Sequence, residues 1–221
     1  MIKIKRLIKL TLLLLLFLII IISIFNVNAS NLTFPLLGKT IYLDAGHGGV
    51  DNGATVNNVH EKDLNLQIVY KLKETLTSAG ATVLLTRKDD NDISSPNALY
   101  RKKSDFDNRI KLINNSNADL YISIHQNIYQ NKKYSGPQVF YVKDNQKLAE
   151  IIQNTLNKYL NTKRKVKTIN NTYMYKLLKK KGILIECGFI SNDNERYKLK
   201  TEEYQLKLSK IITEGIITYY S

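Results

Sequence analysis

The chain has 221 residues, 43% of them hydrophobic, which is enough apolar mass for a folded core and excludes a disordered polymer. A single cysteine excludes an internal disulfide framework, and 33 basic against 19 acidic residues give a net charge of +14, which points to anionic surroundings. Setting aside the four cations before residue 10, the remainder still carries about +10.

Lys3, Lys5, Arg6 and Lys9 precede an uncharged apolar run from Leu10 to Phe25. That order is the order of an export signal, and the run falls between a signal-peptide core and the roughly 20 residues of a spanning helix. Val27-Asn28-Ala29 supplies small residues for cleavage after Ala29. Residues 1–29 therefore read as a signal peptide or membrane anchor, 30–38 as a linker and 39–221 as the folded domain. Either outcome puts the folded domain outside the cytoplasm, because basic residues stay inside. A core helix fits poorly, since the run is apolar all round.

Lys39 to Asp44 is a β-branched and apolar strand that enters the glycine-rich turn Ala45-Gly46-His47-Gly48-Gly49. Glu61 opens a helix with Leu64, Ile68, Val69, Leu72 and Leu76 at helical spacing, closed by Gly80. A strand follows over Ala81 to Thr86, then a turn-forming stretch from Lys88 to Arg101 whose length suits an active-site rim. That stretch lacks the glycine and terminal glutamate of a calcium loop. Next come a helix over about Asp105 to Asn115, a strand from Asp119 to Ile124 ending on His125, a strand over Gln138 to Val142 and a helix over Gln146 to Leu160. Strands over Tyr173 to Leu177 and Gly182 to Ile185, the second ending on Glu186, precede a last helix over Thr201 to Tyr220. This alternation predicts an α/β single-domain three-layer sandwich. A mostly parallel twisted central sheet carries helices on both faces, with the active site at the carboxyl ends of the strands.

His47, Glu61, His125 and Glu186 thus stand at strand ends or at a helix start, where residues far apart in sequence converge. Two imidazoles and a carboxylate holding a metal, with a further carboxylate to move protons, is how a hydrolytic zinc site is built. Each residue has a plainer reading. Glu61, like Asp63, serves the dipole of its helix, and a histidine after a strand, such as His60, is usually a loop residue. Glu186 resists the plain reading, because a carboxylate after four buried positions is costly without a partner or metal. Asp44 and Ser123 are candidates to orient the histidines. Asn127 is a candidate at the oxyanion, with a turn role as its plainer reading. Arg87 is a candidate partner for a substrate carboxylate, with a surface ion pair as the alternative. Cys187 alternates away from Glu186 and reads as packing.

The runs Tyr42-Leu43-Asp44-Ala45-Gly46-His47-Gly48-Gly49, Glu61-Lys62-Asp63-Leu64, Ser123-Ile124-His125-Gln126-Asn127 and Ile185-Glu186-Cys187-Gly188-Phe189-Ile190-Ser191-Asn192 closely resemble the zinc-dependent N-acetylmuramoyl-L-alanine amidases. The resemblance extends from about Gly38 to the C-terminus. It implies that 39–221 is one catalytic domain, that Zn2+ is held by His47, Glu61 and His125, and that Glu186 is the catalytic carboxylate. It further implies hydrolysis of the amide between the lactyl group of muramic acid and L-alanine in peptidoglycan. Tyr100 to Lys103, Arg109 to Asn114, Ser135 to Gln138 and Phe140-Tyr141 resemble the germination-specific spore-cortex branch, which makes muramic δ-lactam during sporulation. Ala45 stands where relatives usually carry proline, Cys187 where they carry an aliphatic or small residue, and the segment 53–59 lacks a second glycine pair.

The basic balance suits anionic wall polymer or lipid headgroups, and no nucleic-acid motif is present. Scattered solvated lysines account for the charge equally well. A lytic enzyme endangers its own cell, so an accessory activator protein is an expected partner; the N-terminal apolar segment makes a membrane tether another, while oligomeric state has no signature. The competing readings are a wall-binding scaffold without turnover and a zinc peptidase acting on ordinary peptides.

Overall fold

The structure is a computed structural model that describes residues 2–29, 33–142, 144–169 and 172–221, with the side chains of 2–3 and 24–29 left aside. It divides into two units, 1–34 and 35–221. The Ala29–Ser30 junction and the first residues of the 30–38 linker lie outside the described residues.

In the first unit, α1 (Ile2–Ala29) contains a stretch, Ile4–Ser23, that is long and apolar enough to cross a membrane, with a mean hydropathy of 2.5. Its hydroxyls are satisfied within the helix. Thr11 donates to the Leu7 and Ile8 carbonyls, and Ser23 donates to the Ile19 carbonyl, so the side surface presents little polarity.

The second unit is built on a six-stranded sheet. Its strands are β1 (Thr40–Ala45), β4 (Thr82–Leu85), β5 (Leu120–Asn127), β6 (Gln138–Tyr141), β7 (Lys167–Thr168) and β8 (Gly182–Phe189), in the order β4-β1-β5-β8-β6-β7. Only the β6–β8 pairing is antiparallel. A small ribbon, β2 (Thr55–Val56) with β3 (Val59–His60), stands apart and leads into α2 (Glu61–Ser78). The other helices are α3 (Arg101–Asn114), α4 (Gln146–Leu160), α5 (Tyr173–Leu177), α6 (Asp193–Leu199) and α7 (Glu202–Tyr220).

Strand alternation sorts the side chains into two cores. One face sends Ile41, Leu43, Ile122, Ile124, Ile183 and Ile185 against α2, α4 and α7, and Cys187 joins this larger cluster. Side chains of that size stabilise by about 1.5–3 kcal/mol each when fully buried. The other face sends Tyr42, Tyr121 and Leu184 against α3 and α5, where Met174, Tyr175 and Leu178 complete a second cluster. Parallel pairing keeps registered residues on one face. Asp44 therefore stands beside Ser123, and His125 beside Glu186, all on the α3/α5 side.

Several features depart from the sequence expectation, among them the strand β7 and the β2–β3 ribbon, which were not anticipated. Tyr173–Leu177 is a short helix, not a strand. β5 and β8 run past their expected ends, so His125 and Glu186 lie inside strands, and a register shift follows between His125 and Asn127. The helix α3 begins at Arg101. The turn of helix Asp193–Leu199 was not anticipated; the Asn192 side chain caps it by accepting from the Glu195 amide.

Candidate active site

The turn after β1 bends through three consecutive positive φ angles, at His47 (63°), Gly48 (141°) and Gly49 (57°). Such a turn exposes carbonyls, and two buried arginines satisfy them. Arg109 donates to the carbonyls of Ala45 and His47 at 2.6 Å each. Arg87 donates to those of Ala45 (3.0 Å), Gly46 (3.2 Å), Lys62 (2.7 Å) and Asp89 (2.7 Å). Arg87 is 3% exposed, so it faces neither a stem-peptide carboxylate nor a surface ion pair. Its guanidinium turns inward because the backbone there offers more acceptors than any single carboxylate.

The first turn of α2 carries Glu61 into the same space. Its Oε2 accepts from the Ala54 amide at 2.8 Å and lies 3.3 Å from His47 Nε2. Its Oε1 accepts from the Gln126 amide at 3.0 Å and lies 2.9 Å from His125 Nδ1. Burial alone pushes the Glu61 carboxyl up, but its bonds to His125 and His47 overcome this and hold it far below the usual carboxylate range. His47 is held above its ordinary value: burial pushes it down, and Glu61 and Asp51 outweigh burial. His47 Nδ1 is 3.0 Å from Asp51 Oδ2, a residue the sequence reading did not select. His60 stands at the N-cap position of α2 without a capping bond from its side chain and pairs with Thr55 instead, outside this group.

Two glycines create the room. A Cβ at Gly46 would lie 2.2 Å from His125 Cε1, and one at Gly53 would lie 2.6 Å from Glu61 Oε2. The result is a set of donor atoms from His47, Glu61 and His125 all within 4.8 Å of one another. Two neutral-capable imidazoles and a carboxylate that stays ionised are the donors of a zinc centre with three protein ligands, and the residues fit that ion.

Glu186 stands beside His125 across the β5–β8 ladder, and its buried Oε2 has no hydrogen-bond partner. Burial is the main cause that pushes its carboxyl up to about 7; His125 and His47 act in the opposite sense and Glu61 reinforces the rise. A carboxyl poised there can both take and give a proton at neutral pH.

Of the other candidates, Asp44 and Ser123 meet directly, Ser123 Oγ lying 2.6 Å from Asp44 Oδ2. Neither hydrogen-bonds directly to a histidine. Asn127 is half-buried at the end of β5, and its carbonyl accepts from the Ile190 amide at 2.8 Å. The stretch 88–101 folds over the His47 turn, where Lys62 bridges the Gly49 carbonyl and Asp90 Oδ2 at 2.8 Å each. A cleft of about 510 Å³ opens on the site. His47, His125, Glu186, Asp51 and Asp105 line one part of it, and Phe106, Phe140, Ile169, Met174 and Leu184 line another.

Two histidines and a glutamate that could hold a metal ion, with a buried carboxylate beside them on a mostly parallel sheet, have the make-up of a hydrolase site. Residues 41–218 match the family model of N-acetylmuramoyl-L-alanine amidase, and the chain belongs to that family. It is 42% identical over 196 residues to the germination-specific N-acetylmuramoyl-L-alanine amidase of Bacillus subtilis (strain 168), covering 86% of this chain and 83% of the relative. It is 33% identical over 198 residues to the amidase LytC of the same organism, covering 87% of this chain and 38% of that longer protein. Among solved structures, the CwlD amidase from Clostridioides difficile in complex with the GerS lipoprotein superposes with a TM-score of 0.78 at 40% identity, over 82% of this chain and 98% of that one. The expected fold class agrees with this likeness, and the activity is hydrolysis of the amide between the muramic acid lactyl group and L-alanine.

Proposed function

We propose that this amidase holds zinc through His47, Glu61 and His125, uses Glu186 to move the proton, and acts on spore-cortex peptidoglycan outside the cytoplasm. The observation that carries the reading is the convergence of those three donor groups within 4.8 Å, beside a carboxylate whose Oε2 has no other partner. Bound zinc supplies Lewis acidity, which activates water and polarises the amide carbonyl. The protein's own residues do the rest. Glu186 takes a proton from the attacking water as its oxygen bonds to the lactyl carbonyl carbon. As the carbon–nitrogen bond breaks, Glu186 returns that proton to the alanine nitrogen, which leaves as a free amine. Asp51 orients His47, and Arg87 and Arg109 hold the turn that carries it.

The cortex assignment draws on the germination-specific relative. The 1–29 segment serves as signal or anchor ahead of the 39–221 catalytic domain, in keeping with the apolar length of Ile4–Ser23. An accessory protein belongs to the same reading, because the C. difficile relative is in complex with a lipoprotein. Incubating purified cortex with the protein and zinc tests the substrate: peptides beginning with L-alanine are expected, and their absence overturns it. Zinc affinity measured alone and with sporulation extract tests the accessory protein, and equal values count against one.

A further inference from the structure

His125 has two ring nitrogens with different company. Nδ1 lies 2.9 Å from Glu61 Oε1, on the side of the donor set, while Nε2 lies 3.3 Å from the hydroxyl of Tyr175. Tyr175 Oη lies in turn 3.0 Å from Ser123 Oγ, which lies 2.6 Å from Asp44 Oδ2. The direction of every bond in this row follows from its last member. Asp44 is a buried carboxyl: burial pushes it up, but the Arg109 guanidinium and the Ser123 hydroxyl hold it below its ordinary value. It is therefore ionised and can only accept. Ser123 must give its one proton to Asp44 and has only lone pairs left for Tyr175. A phenol holds its proton at neutral pH, so Tyr175 gives that one proton to Ser123 at 3.0 Å and turns a lone pair toward His125. Nε2 must then carry a proton to give to Tyr175, and with a metal ion taking the Nδ1 lone pair in place of the bond to Glu61 it would be the only proton on the ring.

We propose that Tyr175 is a positioning residue of the amidase. It accepts from His125 Nε2–H and passes the polarity through Ser123 to Asp44, which fixes the His125 tautomer and aims the Nδ1 lone pair at the metal. The inference rests on the zinc reading above. It gives Asp44 and Ser123 a role at His125 that neither reaches directly, and it assigns a function to α5. A tyrosine that only fills the second core would be replaced by phenylalanine without consequence for the metal, because the ring is the same.

The test uses the full chain in detergent, labelled with 15N-histidine; only three histidines are present. In the zinc-loaded wild type, His125 is expected to bind through Nδ1 and to show a slowly exchanging Nε2–H. Tyr175→Phe is expected to lose that protection and to bind zinc about 10–100-fold more weakly, the usual effect of removing a partner of a metal-bound imidazole. Ser123→Ala should weaken zinc in the same direction, and the double variant should be no worse than the weaker single, because both cut one row. Wild-type His125 bound through Nε2 overturns the proposal without any variant. Wild-type zinc affinity in a folded Tyr175→Phe protein overturns it while leaving the zinc reading intact. A wild type that takes up no zinc overturns both.

Discussion

Arg109 Nη1 lies 2.6 Å from Asp44 Oδ1, with both side chains 2% exposed or less, and this pair joins the middle of α3 to the end of β1 beneath the active site. Arg109 Nε also pairs with Asp105 at 2.7 Å, so one cation serves two acids and two carbonyls. The Asp44 carboxyl is held below its ordinary value of 3.8 in the folded protein. Its contribution is therefore fully present above that value and is lost as pH falls through the lower folded value. Asp44→Asn is expected to destabilise by about 3–5 kcal/mol at neutral pH, because it leaves the Arg109 charge partly unpaired in the interior. Its stability should also depend less on pH below about 4 than that of the wild type. Urea midpoints from pH 7 to pH 3 measure both, and parallel curves for the two proteins would refute the linkage.

Glu186 is expected to be dispensable for metal and indispensable for turnover. Glu186→Gln keeps the shape but cannot take a proton, so amidase activity should fall about 10²–10⁴-fold with zinc content unchanged. In chelator-treated wild type the Glu186 carboxyl is expected to titrate near 7, as burial dictates. Adding zinc should lower that midpoint, since a nearby cation favours the anion. Carbon-13 titration reads the midpoint, and full activity in the glutamine variant would remove Glu186 from the mechanism.

The four residues at the heart of the site were legible because each sits where a hydrophobic run changes period, and the glycines around His47 announce a tight turn. The sheet was legible for the same reason, through Ile41, Leu43, Ile122 and Ile185. Tyr175 was not. Five residues, Tyr173 to Leu177, are too few to separate a period of 2 from one of 3.6, and alternating Tyr173, Tyr175 and Leu177 imitate a strand. The helix instead turns Met174 and Tyr175 inward, with Leu178 just after it, and leaves Tyr173 and Leu177 exposed. Arg87 and Arg109 were obscured by a different cause. Arginine reads as a surface residue until a crowded turn supplies carbonyls for all its donors, and that crowding exists only in three dimensions.

Gly46 and Gly38, which flank opposite ends of β1, offer a paired test of what glycine does beside the site and away from it. Gly46 does not adopt a positive φ, and an alanine Cβ there meets His125 Cε1 at 2.2 Å. Gly46→Ala should therefore displace the imidazole and lower zinc affinity more than tenfold. Gly38 has a φ of 79° and nothing within 4 Å of a Cβ. Its alanine variant should lose about 1 kcal/mol to backbone strain and bind zinc normally. Isothermal titration with thermal melts separates the two effects, and equal zinc affinities would contradict the steric account.

Asp51 tests the outer support of His47. Its Oδ2 lies 3.0 Å from His47 Nδ1 while its Oδ1 accepts from the Gly53 amide at 3.1 Å, so the carboxylate ties the imidazole to the loop that leads to Glu61. Asp51→Asn can keep the Gly53 bond, yet it replaces a charged acceptor at Nδ1 with an amide. Zinc affinity should fall about 10–100-fold, as for other partners of metal-bound imidazoles. The nearby Lys102 Nζ, 3.4 Å from Asp51 on a largely exposed side chain, provides the contrast. Lys102→Ala should change zinc affinity little, because a solvent-screened pair of this kind is worth about 0–1 kcal/mol. If the lysine variant weakens zinc as much as the asparagine variant does, the support comes from the net charge at the rim and not from the bond to His47.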